Sequence, residues 1–141
     1  DTFNNEIIAH SVSPVAGDNK PYYHCLDRLN SLAGKKEEQR PQVVFHTDQG
    51  AVYSSQAFCQ AHNHYNILRS MSRVGTPTDN PIIEALNGWI KEELFLDFDL
   101  AHAKDVPALL DMYVDFFNNR RPAAALGYKS PVQYRTELGF C

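Results

Sequence analysis

Val43-Val44-Phe45-His46-Thr47-Asp48-Gln49-Gly50 is the stretch on which the reading of this chain turns. Three consecutive apolar residues, two of them β-branched, are too few for a helix and suit a buried strand. Polar residues and a glycine then close it. A short, wholly apolar strand belongs at the centre of an α/β sheet, covered on both faces. Asp48 falls just past its C-terminal end, where open α/β sheets project functional side chains into a crevice.

Working outward, EIIAHSVS from Glu6 to Ser13 has a β-branched start and partial alternation, which predicts a strand ending before Pro14 and Gly17. Pro21 opens a helix in which Tyr22, Leu26, Leu29 and Ala33 recur at helical spacing, and Gly34 supplies a stop. The polar run from Lys35 to Arg40 reads as a surface loop. Downstream, Ser55 caps a helix with Phe58, Ala61 and Tyr65 on one face, and Ile67 to Met71 reads as another short strand. Arg73 to Thr78, with Gly75 and Pro77, reads as a loop. Asp79 or Asn80 before Pro81 is a helix start, because a side-chain acceptor satisfies exposed amides and proline suits the first turn. That helix is expected to run to about Leu94, with Ile82, Ile83, Leu86, Ile90 and Leu94 as its buried stripe and Glu84, Asn87, Gly88 and Lys91 on another face. A last helix, from Asp105 to about Phe117, turns Leu109, Leu110, Tyr113 and Phe117 inward. The alternation of strands and helices indicates an α/β fold with parallel pairing among some strands, in one domain over residues 1–141.

Composition narrows the function classes. A chain of 141 residues that is 43% apolar can bury one continuous core. With no apolar run long enough to cross a bilayer and no leader, a cytoplasmic protein without a membrane partner is expected. Cys25, Cys59 and Cys141 form no CxxC pattern and leave one over, so free thiols are expected rather than a disulfide framework. Cys59, His62 and His64 would scatter around a helix axis with no fourth ligand evident, which argues against structural zinc. The net charge of −4 does not by itself suggest a nucleic-acid partner. Asp97, Asp99, Asp105, Asp111 and Asp115 concentrate acid, whereas Arg120, Arg121, Lys129 and Arg135 follow as a local basic patch.

Asp48 and Glu84 stand out among the acids. Glu84 lies one turn into its helix on the face away from the core, and positions 49 to 83 place 35 residues between the two. Hard Mg²⁺ or Mn²⁺ ions prefer carboxylate oxygen, and a pair of them can stabilise the attacking and leaving oxygens of a phosphodiester displacement. As bare spacing, two acids out of 17 carry little weight, since most acidic residues are solvated charges.

The neighbouring residues carry more. His46-Thr47-Asp48-Gln49-Gly50 with Tyr53-Ser54-Ser55 resembles the strand end around the second catalytic aspartate of the retroviral-integrase-like cores of bacterial insertion-sequence transposases. Ser70-Met71-Ser72-Arg73, then Asp79-Asn80 and Ile83-Glu84, is similar to that family's last strand, loop and glutamate-bearing helix. Phe117-Asn118-Asn119-Arg120-Arg121-Pro122, with Ala125-Leu126-Gly127-Tyr128 and Ser130-Pro131, resembles its C-terminal signature, so residues 118–141 form the signature segment. The resemblance implies a ribonuclease-H-like fold, metal-assisted DNA strand cleavage and strand transfer, and Asp48 and Glu84 as the second and third members of an Asp, Asp, Glu triad binding Mg²⁺ or Mn²⁺. It implies DNA as partner, homo-oligomers, and no small-molecule cofactor. Arg73, Lys91 and Arg121 become candidate DNA contacts, against the plainer reading of each as a solvated cation.

The resemblance also has gaps. Asp1-Thr2-Phe3-Asn4-Asn5-Glu6-Ile7-Ile8 is similar to the family segment after the second strand, so Asp1 is not the first ligand, and that aspartate is expected upstream of residue 1. The core is then expected to lack its first strands in this chain, its exposed edges met by strand exchange, by another chain or by altered packing. The signature's usual histidine after proline is Ala123. Beside the catalytic reading stand a truncated, inactive module that binds DNA or other subunits, and a ribonuclease-H-like nuclease for another nucleic acid. His46 beside Asp48 is a candidate to orient a ligand or substrate and Trp89 to stack on a base, against plainer readings as a hydrogen-bonded strand-end histidine and a packing aromatic.

Overall fold

A computed structural model describes residues 1–32, 42–62, 66–73, 75–76 and 80–140. The elements are α1 (Lys20–Leu32), β1 (Val43–Thr47), α2 (Gln56–His62), β2 (Ile67–Met71), α3 (Pro81–Leu96), α4 (Val106–Asn119) and α5 (Pro131–Glu137), with 3₁₀ turns at Leu100–His102 and Ala124–Leu126. The chain divides into two compact units, Ser11–Glu84 and Asp1–His10 with Ala85–Cys141. The expected loops at Lys35 to Arg40 and, in part, Arg73 to Thr78 lie outside the described residues, as does the Gly34 stop.

In the Ser11–Glu84 unit, β1 and β2 pair in parallel with Val43 opposite Ile67 and Thr47 opposite Met71. A parallel pair cannot close through a tight turn, and α2 lies in the crossover. Ser55 caps α2 as expected, accepting the Phe58 N–H at 3.3 Å. Phe58 is buried, and the rings of Tyr22, Tyr23 and Tyr53 meet it edge-on with centroids 5.6 to 6.3 Å away. Leu26 of α1 is buried as well. That arrangement lets each ring present its positive edge to a negative face while removing apolar area from water.

β1 is not the deeply buried strand its composition suggests. Val44 is 63% and Leu68 51% exposed; they are register partners, so one face of this two-stranded ribbon is open. Burial of both faces requires layers on both sides, and among the described residues only one is supplied. The strand expected over Glu6 to Ser13 does not form either. Ile7 instead gives its N–H to Asn118 Oδ1 and its carbonyl to Asn118 Nδ2, each at 2.9 Å. A carboxamide presents a donor and an acceptor as a neighbouring strand would, satisfying the backbone without a ladder.

In the other unit, Leu94, Tyr113 and Phe117 form the core, with Leu86, Ile90, Leu109 and Leu110 packed against it. Tyr113 and Phe117 emerge on the inward face of α4 as their spacing predicts, and Asp105 accepts the Ala108 N–H at 3.0 Å as its cap. The stripe on α3 is shorter than expected: Ile82 and Ile83 are 49% and 42% exposed. Helical periodicity identifies a face but not how far along the axis a partner extends. α5 begins with a full capping box, in which Ser130 accepts the Gln133 N–H and Gln133 accepts the Ser130 N–H.

The expected basic patch is also revised. Arg120 pairs with Asp115, Arg121 with Glu93, Lys129 with Glu137, and Arg135 approaches Glu6 at 3.5 Å. Each cation of the tail thus has an acid beside it, local in sequence for Arg120 and Lys129 and distant for Arg121 and Arg135. Among the described residues, no helix is long and apolar enough to cross a membrane.

Candidate functional site

Asp48 follows β1 directly and is exposed. One carboxylate oxygen, Oδ1, accepts the Gly50 N–H at 2.8 Å, which turns the chain and fixes the side chain's direction. The absence of a side chain at Gly50 leaves room for that contact: a Cβ there would lie 2.9 Å from Asp48 Oδ1. The turn is braced from β2. Gln49 Nε2 donates to the Ser72 carbonyl at 3.0 Å, and the Ser72 N–H donates to the Thr47 carbonyl at 2.9 Å. Thr47 and Ser72 are both buried, so Asp48 stands on a rigid base at the end of two parallel strands.

His46, two residues before Asp48, bridges the strand ends. Its Nδ1 lies 2.8 Å from Ser70 Oγ and its Nε2 3.0 Å from Ser72 Oγ, which is the hydrogen-bonded role expected of it. Tyr53 packs near the turn, and burial raises its hydroxyl pKa, with Tyr22 and the Asp48 carboxylate adding to the effect.

Glu84 sits in the first turn of α3, its N–H bonded to the Asn80 carbonyl at 3.2 Å, and is exposed. Its side chain enters no hydrogen bond or ion pair among the described residues. Lys91 is exposed two turns further along, and Arg73 is exposed after β2. Arg121 is placed differently, inside its own unit, where its side chain is only 17% exposed and is paired with Glu93.

No group of three or more His, Cys, Asp or Glu side chains gathers as a metal site among the described residues. The zinc reading finds no support in its described members: Cys59 accepts from Arg69, and His62 is buried with its ring 4.7 Å from Phe58 and 5.6 Å from Phe45. His64 lies outside the described residues. Trp89 is 53% exposed, with the Arg121 guanidinium 5.8 Å from its ring centre.

Two further residues escaped the sequence reading. Arg69 donates to the Tyr53 carbonyl at 2.7 Å and to Cys59, tying β2 to the loop after Asp48. Glu93 interrupts the apolar face of α3, one turn after Ile90 and beside Leu94; an acid in that position is a signal of a buried partner, here Arg121.

Residues 61–131 of the chain match the integrase core domain family, and the chain belongs to it. It is 28% identical over 97% of its length to the Escherichia coli (strain K12) protein named "Putative transposase InsK for insertion sequence element IS150", of which it covers 47%. It is 30% identical over 95% of its length to the transposase for insertion sequence element IS904 of Lactococcus lactis, covering 51% of that protein. To the transposase for insertion sequence element IS629 of Shigella sonnei it is 30% identical over 74% of its length, covering 36%. The chain thus spans about half or less of the length of these relatives. Family membership implies a ribonuclease-H-like α/β fold, to which the described residues contribute the parallel β1–β2 pair and the helices around it.

Proposed function

We propose that this chain is part of a DNA transposase of insertion-sequence type, catalysing metal-dependent strand cleavage and strand transfer, with Asp48 and Glu84 as two of its metal-binding carboxylates. The observation that carries the reading is the placement of Asp48: a carboxylate at the tip of a parallel strand, aimed by Gly50 through one oxygen, while the other oxygen accepts no hydrogen bond among the described residues. The donor set fits Mg²⁺ or Mn²⁺, because both groups are exposed hard oxygen ligands with no competing cation paired to either among the described residues. Such ions, when bound, supply Lewis-acid stabilisation of charge on the phosphate oxygens.

The residues themselves do the positioning. Gly50 and the Gln49–Ser72–Thr47 bonds hold Asp48 at one angle, so little ordering is left for the moment of reaction. The first turn of α3 offers Glu84, and Lys91 on the same face extends a cation toward DNA phosphate, with Arg73 as a second contact. Arg121 is not assigned to DNA in this reading, since its guanidinium is held by Glu93. DNA and further copies of the protein are the partners proposed.

In the full-length transposase, Asp48→Asn and Glu84→Gln are expected to abolish Mn²⁺-dependent strand transfer while binding to transposon ends persists. Strand transfer at the unmodified rate in either variant would remove that residue from the site. An unmodified protein that binds ends but never transfers them would favour the inactive-module reading.

A further inference from the structure

The tail of this chain offers four cations to a reader looking for a DNA contact, and Arg121 is the least available of them. Its Nε lies 2.7 Å from Glu93 Oε1 and 3.0 Å from Oε2, and a terminal nitrogen lies 2.6 Å from Oε1, so the guanidinium fork meets the carboxylate along its edge. The flat faces are engaged as well, with the guanidinium carbon 5.1 Å from the Phe117 ring centre and 5.8 Å from that of Trp89. From the far side the buried Tyr113 hydroxyl donates to Glu93 Oε2 at 2.8 Å. Arg121 and Glu93 retain 17% and 21% side-chain exposure.

Glu93 thus receives a pincer from α4 and from the residue two beyond its end. Phe117 and Tyr113, which complete the pincer, are the core residues on which α3 rests. Position 93 is nine residues beyond position 84, and at about 3.6 residues per turn the two side chains leave α3 on opposite faces roughly 13.5 Å apart along its axis. Removal of apolar area from water is non-directional and does not by itself select one roll of the helix about its axis. A bidentate ion pair with a hydrogen bond at its back is directional and resists a change of roll.

We propose that Arg121 is a positioning residue that acts through Glu93 to fix the roll of α3, and with it the direction of Glu84, rather than a ligand of DNA. The inference rests on the assignment of Glu84 to the active site. It explains why the signature arginine lies beside a phenylalanine and a tyrosine one and two turns earlier on α4: the three build one socket for one carboxylate. Lysine cannot replace it there, since a single ammonium lacks both the fork and the flat face.

The test uses the full-length transposase with Arg121→Lys, Arg121→Ala, Glu93→Gln and the Arg121→Ala/Glu93→Gln double variant, each shown to be folded at the assay temperature. The expected result is a single-turnover strand-transfer rate lowered about 10- to 100-fold in each variant. The affinity for end DNA and the slope of log affinity against log salt concentration stay those of the unmodified protein. The double variant is expected to lose no more than the worse single one, because both remove one interaction. A slope shallower by about 0.9 in the Arg121→Ala variant would mark a phosphate contact and overturn the proposal. Additive losses in the double variant, or a Glu93→Gln protein with unmodified activity, would overturn it too. Failure of the site assignment is separable: Glu84→Gln would then keep its activity, while the coupling of Arg121 to Glu93 in thermal unfolding would still report whether the clamp exists.

Discussion

At the scale of the residue, the most constrained position in the candidate site is a glycine. The N–H of Gly50 holds Asp48 Oδ1 at 2.8 Å, and any β-carbon at position 50 would press on the same oxygen at 2.9 Å. The obstacle is the end of a side chain and not backbone, so the cheapest relaxation is for the carboxylate to swing away. Gly50→Ala is therefore expected to leave the thermal unfolding midpoint nearly unchanged while strand transfer falls by about 10- to 100-fold. Retention of full activity would show that the direction of Asp48 is set elsewhere.

At the scale of the element, capping decides where helices begin more sharply than apolar periodicity does. Asp105 and Ser55 both cap at the positions their residue types suggest. Ser130 forms the complete box with Gln133 and is 1% exposed, so its loss uncovers amides that water reaches poorly. Ser130→Ala is expected to cost about 1 kcal/mol of stability in urea unfolding, with the first turn of α5 as the region losing amide protection. The signature's missing histidine does not disturb this neighbourhood. Ala123 contributes through its backbone, its N–H donating to the Lys129 carbonyl and its carbonyl accepting from the Leu126 and Tyr128 N–H groups. Periodicity fared less well on α3, where Ile82 and Ile83 share the apolar spacing yet remain exposed, and on Glu6 to Ser13, where one asparagine side chain replaces a strand partner.

At the scale of the whole molecule, charge and proton binding matter more than any single contact. If the chain acts on DNA as proposed, the net charge of −4 and the pairing of the tail cations leave phosphate contact to exposed side chains such as Lys91. His62 makes the Ser11–Glu84 unit sensitive to acid. Burial lowers its pKa below 6.5, with nearby Arg69 adding to the effect, and neither ring nitrogen has a hydrogen-bond partner among the described residues. Below 6.5 the unfolded chain takes up a proton that the folded one resists, so unfolding binds protons and stability falls with pH. That contribution is fully present above 6.5 and is lost as pH drops toward the lower folded value. The unit's unfolding midpoint is expected to decline over that interval, and His62→Phe to flatten the decline. An unchanged slope in the variant would assign the acid sensitivity to other groups.

The residues quoted around Asp48 and Glu84, and those of the C-terminal signature, were enough to place the chain in its family. Local chemistry was equally legible: the bounds of β2, the cap at Ser55, the start of α4 near Asp105 and the inward face of α4 all follow from residue types at fixed offsets. These depend on interactions within about one turn of helix or one strand, which a sequence displays directly. What only the tertiary structure decided are the long-range pairings. Arg121 with Glu93, Arg135 with Glu6 and Asn118 with Ile7 join residues that no periodicity links. Those pairings turned an expected basic patch into a set of internal braces, because whether a charge faces water or a partner depends on what the fold brings beside it.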